Sequence, residues 1–391
     1  MEQNAQLRQV FFDILNSGAW KDRRHLKTCI DMLIGLILSG SVNLTKWIPF
    51  SSGRGKIAQS IQRRYIRWLD NSNINVMELY QPLISAALTE WGNSAIYLAF
   101  DTSMLWNTYC MIRVSIVYRG RAIPLAWDVI QHNSSTVAFG TYKKVLKQAK
   151  EILEGHNKRV VLLADRGFAD TKLMALCRRY KWGYRIRLKG TFQVIRPGEQ
   201  ERSVDQLCPA LRGNALFLHN VRITRDKFGQ VSLALAYDKE SGERWYIVSD
   251  VPTSPKTFKE YGLRFDIEEN FLDDKSNGFQ LESSGISTAA GLNRLCFILA
   301  VATLYLVAQG TEVVEKKQRR LIDPHWFRGN SYLRIGWDWL KRTLYQGGEF
   351  LARLRLHGGT DPDPAKASRK QAEKRALRFT SFNCNTLIYN E

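Results

Sequence analysis

The sequence predicts an α/β protein: a mixed sheet covered by helices, interrupted by a β-rich insertion, with a helical N-terminal domain before it and a helical basic region after it. Three observations carry this. Apolar residues recur at helical spacing through VFFDIL, CIDMLIGLIL and VMELYQPLISAAL in residues 1–90; apolar strand-length runs begin near residue 95; and residues 186–254 alternate short strands with turns.

In the N-terminal domain (1–90), SSGRGKIAQSIQRRYIRWLD carries Arg54, Lys56, Arg63, Arg64 and Arg67 with no acid before Asp70. Ile61, Tyr65 and Trp68 form one stripe of a helix with arginines beside it. A helix laid on phosphates is the reading favoured over a merely solvated face, making these five residues candidates for binding DNA.

From residue 91 to 185, AIYLAFDTSM ends near Asp101, MIRVSIVY and RAIPLAWDVI flank an Arg-Gly turn, GTYKKVLKQAKEILEGH is an amphipathic helix, and RVVLLAD ends in Asp165. A three-strand meander, a helix and a further strand is the order of an RNase H-like sheet. The β-rich insertion (186–254) separates this part from a second, helical part of the core (255–312). The C-terminal region (313–391) is basic and Trp-rich, is expected to serve DNA contact and dimerisation, and loosens into DPDPAKASRKQAEKR.

The chain has 391 residues and a net charge of +20, with the basic excess spread along its length rather than held in a tail, which points to a long polyanion. With 45% hydrophobic and 11% aromatic residues it has material for a core, which excludes a basic disordered protein. The six cysteines form no CxxC pair, so neither a zinc site nor a disulfide framework is expected, and a reducing interior fits. The runs at 29–40 and 295–308 are shorter than a membrane span and read as buried helices, and MEQNAQLRQVFF lacks the pattern of a secretory signal. The six histidines form no motif.

The segment YGLRFDIEENFLDDK (261–275) carries the chemistry. On one regular α-helix Tyr261, Arg264, Glu268 and Lys275 share a narrow stripe, and Leu263, Ile267 and Phe271 lie roughly opposite. Two cations and a phenol beside one carboxylate suit a phosphate chain and a metal, although an i,i+4 pair between Arg264 and Glu268 on a solvated face explains half of the pattern. Asp101 and Asp165, each ending an apolar strand, tip the balance. Two strand-end acids and one helix acid suit a pair of divalent metals roughly 3.5–4 Å apart.

These residues resemble the bacterial insertion-sequence DDE transposases with the Y-R-E-K signature. Tyr261, Arg264, Glu268 and Lys275 match the spacing of that signature, FDTS surrounds Asp101, LADRGF surrounds Asp165, and the β-rich insertion lies between the second Asp and the Glu. The resemblance spans about 95–310. It implies Asp101, Asp165 and Glu268 as catalytic and metal-binding residues for two Mg²⁺ ions, with Mn²⁺ able to substitute, and Tyr261, Arg264 and Lys275 as ligands of DNA phosphates. It further implies cut-and-paste transposition through a hairpin, with transposon-end and target double-stranded DNA as partners, a homodimer in the DNA complex, and a cytoplasmic, nucleoid-associated location. Trp245, in ERWYIVSD, is the candidate platform for a flipped base, with a core position as the equal alternative. The rival functions are a catalytically inactive DNA-binding relic and a metal-dependent nuclease without strand transfer.

Overall fold

A computed structural model describes residues 2–52, 57–365 and 382–389. Of the N-terminal candidates, Arg54 and Lys56 lie outside the described residues.

The N-terminal region is helical as expected: α1 (Glu2–Leu15), α2 (Arg23–Ser39), α3 (Leu44–Trp47), α4 (Ala58–Asp70) and α5 (Val76–Leu88). Local chemistry sets the ends. Asp22 accepts from the Arg24 N–H at the start of α2, Gly40 closes it in a left-handed conformation, and Asn75 caps α5.

Next come β1 (Ile96–Leu105), β2 (Tyr109–Tyr118), β3 (Arg121–Gln131), α6 (Phe139–Leu153) and β4 (Val160–Ala164). Arg119 and Gly120 join β2 to β3, both at positive φ, as a two-residue hairpin turn that follows the strand twist requires. One expectation needs correcting: β1 does not end at Asp101 but continues to Leu105. Only its pairing with β4 stops at Phe100.

The remaining elements are α7 (Thr171–Arg179), β5 (Gly183–Arg187), β6 (Gln193–Ile195), β7 (Arg202–Ser203), α8 (Val204–Leu207), β8 (Asn214–Ile223), β9 (Phe228–Tyr237), β10 (Arg244–Ser249), α9 (Pro255–Gly262), α10 (Asp266–Leu272), α11 (Ala289–Glu315), α12 (Tyr332–Gln346) and β11 (Asn383–Ile388). The segment 261–275 is therefore not one regular helix, which corrects the single-stripe expectation. A 3₁₀ turn (Leu263–Phe265) separates α9 from α10, and a π-turn (Asp273–Asn277) follows. Three hydrogen-bonding periods in succession rotate the side chains away from the 100° spacing that aligned them.

The chain divides into two compact units. One contains the residues up to Ser94, Thr102–Lys158 and Asp266–Ala365; the other contains Ala95–Asp101, Arg159–Phe265 and the described C-terminal residues.

In the first unit α11 is the core. It is long and apolar enough to cross a membrane, but 83% of its apolar stretch is buried inside the protein, in accord with the expected buried helix. α12 packs against it at backbone contact. A Cβ on Gly310 would stand 2.0 Å from the Tyr332 carbonyl oxygen, and one on Gly336 would stand 1.8 Å from that of Leu306, so only glycine permits the approach. On α4, Ile61, Tyr65 and Trp68 are buried, and Trp68 stacks on Phe297 of α11.

The second unit is built on a sheet of order β1-β4-β5-β10-β9-β8-β6-β7, with β11 beside β8. β1, β4 and β5 are parallel, whereas β10, β9 and β8 run antiparallel in turn. The β-rich segment thus extends the parallel strands through the β5–β10 pairing.

Candidate active site

The register of the parallel strands places the site. Phe100 pairs with Ala164, and Ala164 with Ile186, so the next row along β1, β4 and β5 is Asp101, Asp165 and Arg187. Up to that row β1 and β4 are buried and apolar but for half-buried Tyr97, and β5 carries one charged side chain, the buried Arg185; at the row all three strands turn charged. Ligands in open α/β sheets sit at the carboxyl ends of strands, and these three side chains occupy that edge.

Two of the expected phosphate ligands converge on the acids. The Arg264 guanidinium donates through Nη1 to Asp101 Oδ2 at 2.8 Å, with 6% of its side chain exposed against 20% for Asp101. The Tyr261 hydroxyl donates to Asp165 Oδ1 at 3.3 Å. Burial pushes the Tyr261 phenol well up, so it remains a hydrogen-bond donor throughout the neutral range.

A supporting layer holds these donors. Glu260, beside Tyr261, accepts from Arg185 Nε at 2.7 Å and from the Tyr97 hydroxyl at 3.1 Å, and Arg185 also reaches Asp250 at 3.1 Å. This clamp anchors α9 to β1 and β5. Beneath Tyr261 lies Trp245, 2% exposed, with its ring 5.6 Å from Tyr261 and 6.2 Å from Phe265, both edge-on. Of the two readings of Trp245, burial supports the core one and not the base-stacking platform: the indole is the floor of the cluster formed with Phe217, Ile247, Phe258 and Tyr261.

Arg187 was missed in the sequence. Its guanidinium lies 4.6 Å from the Trp245 ring centre, donates to the Arg244 carbonyl at 3.2 Å, and acts on the Tyr261 phenol electrostatically. The signal was present in YRIRLK, an apolar strand ending in cations in the chain order that already placed Asp101 and Asp165.

Glu268 and Lys275 belong to the other unit. Glu268 is exposed on α10. Lys275 lies in the π-turn, donates to the Met104 carbonyl at 2.5 Å, and is 3.9 Å from Glu282; burial lowers its pKa. The turn is held by Arg113 of β2, fully buried, whose Nη1 donates to Asn270 at 2.8 Å and to Asp274 at 2.6 Å. From β3, Arg121 reaches Glu269 at 3.3 Å and Asp273 at 3.2 Å.

Of the N-terminal candidates, Arg63 and Arg67 are exposed on α4. Arg64, with 34% of its side chain exposed, pairs with buried Asp31 at 2.8 Å and donates to Ser51 at 2.8 Å. Trp68, which favoured the DNA-facing reading, faces the core.

Among the described residues no group of three His, Cys, Asp or Glu side chains is gathered at metal-binding distance. Asp101 and Asp165 nevertheless offer hard carboxylate oxygens from neighbouring strands with a cation beside them, a donor set that suits magnesium better than zinc or copper.

No curated protein matches the chain. Among solved structures, that titled "X-ray crystal structure of Marinitoga piezophila Argonaute in complex with 5' OH guide RNA and target DNA" is 12% identical, covering 59% of this chain with a TM-score of 0.23. The chain spans about a third of that protein, 34% of its length, and so loose a superposition leaves the assignment to the family comparison. The family described as "Transposase DDE domain" matches residues 105–305, a span that begins just after Asp101 and includes Asp165 and Glu268. With more than half of its length so matched, the chain belongs to the DDE-domain transposases.

Proposed function

We propose that the protein catalyses cut-and-paste transposition of an insertion sequence, with Asp101, Asp165 and Glu268 as its acids. The observation that carries this is the charged row at the sheet edge, Asp101, Asp165 and Arg187, with Arg264 and Tyr261 hydrogen-bonded to its two carboxylates.

The three acids would hold two Mg²⁺ ions, which supply charge for the attacking and leaving oxygens of an in-line displacement at phosphorus. The rest of the work is done by side chains. Arg264, Arg187 and Lys275 bind and neutralise phosphate oxygens, and the Tyr261 hydroxyl donates to one of them. Their supports hold the scissile phosphate in line rather than contributing covalent chemistry. The reaction order is hydrolysis of the transposon 3′ strand, attack of the freed 3′-OH on the opposite strand to form a hairpin, opening of the hairpin, and transfer into target DNA. The enzyme acts as a homodimer that pairs two ends, with exposed Arg63 and Arg67 on phosphates of the terminal repeat. It works in the cytoplasm on nucleoid DNA.

The test is strand cleavage of labelled DNA bearing the element's ends, in Mg²⁺, by the wild type and by Glu268→Gln. Hairpins and excised ends from the wild type, with end binding but no products from the variant, are expected. Binding without cleavage by both proteins would overturn the catalytic reading in favour of a DNA-binding relic; cleavage without strand transfer would favour a nuclease.

A further inference from the structure

In the first unit the loop between α11 and α12 displays an indole to solvent. Trp326 is 83% exposed, and Leu321 and Phe327 beside it are 55% and 46% exposed. A large aromatic ring left in water forfeits burial that the fold could have used, so a patch of this kind marks an interaction surface.

The loop is built to hold that ring in place. Arg319, 8% exposed, donates to Asp363 at 2.8 Å, to Asp323 at 3.1 Å, and to the main-chain carbonyls of His325 at 3.0 Å and Trp326 at 3.3 Å. Asp323, fully buried, also accepts from the Gly329 N–H at 3.2 Å, and Arg328 pairs with Asp361 at 2.7 Å. Two buried guanidiniums therefore anchor both ends of the segment that carries Trp326. An ordered backbone lowers the entropic cost of binding through its exposed side chain.

The surroundings select the partner. The Arg320 guanidinium lies over the Trp326 ring, 4.7 Å from its centre, and Arg320 is itself exposed. A second copy docking face to face would set Arg320 against its equivalent, whereas a nucleic acid would set a phosphate against it. An exposed aromatic ring with a guanidinium over one face is an arrangement that takes an unpaired base on the other face and an adjoining phosphate on the guanidinium.

We propose that Trp326 is a stacking platform for an unpaired DNA base, with Arg320 on an adjoining phosphate. The proposal rests on the reading of this protein as a DNA transposase and identifies a base-binding site that buried Trp245 does not provide.

The test uses the full chain and two labelled DNAs with the same stem, one closed by a loop of unpaired thymidines and one blunt-ended. Affinities are measured by fluorescence anisotropy at one salt concentration, and a 2-aminopurine in a second loop reports stacking directly. Trp326→Ala should weaken loop binding by about 5- to 100-fold, leave the blunt duplex within about twofold, and abolish the 2-aminopurine quenching, while Trp326→Tyr retains most of both. Because the side chain is exposed, the melting temperature should not move. Equal loop affinity and quenching in wild type and Trp326→Ala would overturn the proposal, as would a shift from dimer to monomer in sedimentation with loop binding unchanged, the result expected of a protein-docking surface. None of these readings requires cleavage, so failure here is distinct from failure of the transposase assignment.

Discussion

Arg113 donates to Asp274 across 2.6 Å with 0% and 1% of the two side chains exposed, and the same Nη1 reaches Asn270 one turn earlier. Burying a charge pair costs desolvation that its attraction only roughly repays. Its effect here is geometric, since it ties α10 and the π-turn to β2 and so sets how the segment bearing Glu268 and Lys275 leaves the sheet. Removing one partner should destabilise the protein by about 3–5 kcal/mol, because the other charge is left buried and alone. Arg113→Met with Asp274→Leu should recover most of that loss. Urea unfolding of the two single variants and the double variant checks it; additive losses would rule out the pairing.

Asp273 gives the π-turn a pH dependence. Burial pushes its carboxyl up to about 6, against the pull of Arg121 and with a push from Asp274 and Glu269. A carboxyl whose folded pKa is raised binds more protons in the native state than in the unfolded chain, so its contribution is present at low pH and is lost as pH rises from about 4 through about 6. Asp273→Asn should therefore lose less stability than wild type between those values, by about 1–3 kcal/mol. Melting curves across this range decide; parallel profiles would refute the prediction.

On the proposed function Arg264 would compete with a metal for Asp101, because its Nη1 is already 2.8 Å from Oδ2. Arg264→Gln should lower the Mg²⁺ concentration for half-maximal strand cleavage by about threefold or more while cutting the maximal rate, since phosphate neutralisation is lost. A magnesium titration of cleavage at saturating DNA separates the two effects. A higher magnesium requirement in the variant would contradict the competition.

Trp245 is part of the core, so Trp245→Ala should cost about 3–5 kcal/mol in urea unfolding. It should also slow the first nick and hairpin formation alike, by loosening Tyr261 above it. Selective slowing of the hairpin step would mean that the indole leaves the core during the reaction.

Much of this was legible in the residues alone. The strand order, the buried central helix and the positions of Asp101 and Asp165 after apolar runs follow from hydrophobic periodicity, a local property that a single chain displays. The helical N-terminal region and the β-rich segment were readable for the same reason. Whether an amphipathic or aromatic residue faces core, solvent or ligand was not, because that depends on what packs opposite. Trp245, read equally as a base platform or a core residue, lies in the interior, Arg64, a candidate for phosphate, pairs with Asp31, and Trp326 was not singled out among eleven tryptophans.

The sequence by itself determined which residue types are available and in what order: acids that follow apolar runs, a Tyr-Arg-Glu-Lys series, and a basic excess along the chain. The tertiary structure decided which of them meet. Strand register put Arg187 in the row of Asp101 and Asp165, and successive 3₁₀ and π turns replaced the single helical stripe. Burial assigned one tryptophan to the core and another to solvent. These are consequences of long-range packing, where the partners of a side chain stand tens to hundreds of residues away and no local period encodes them.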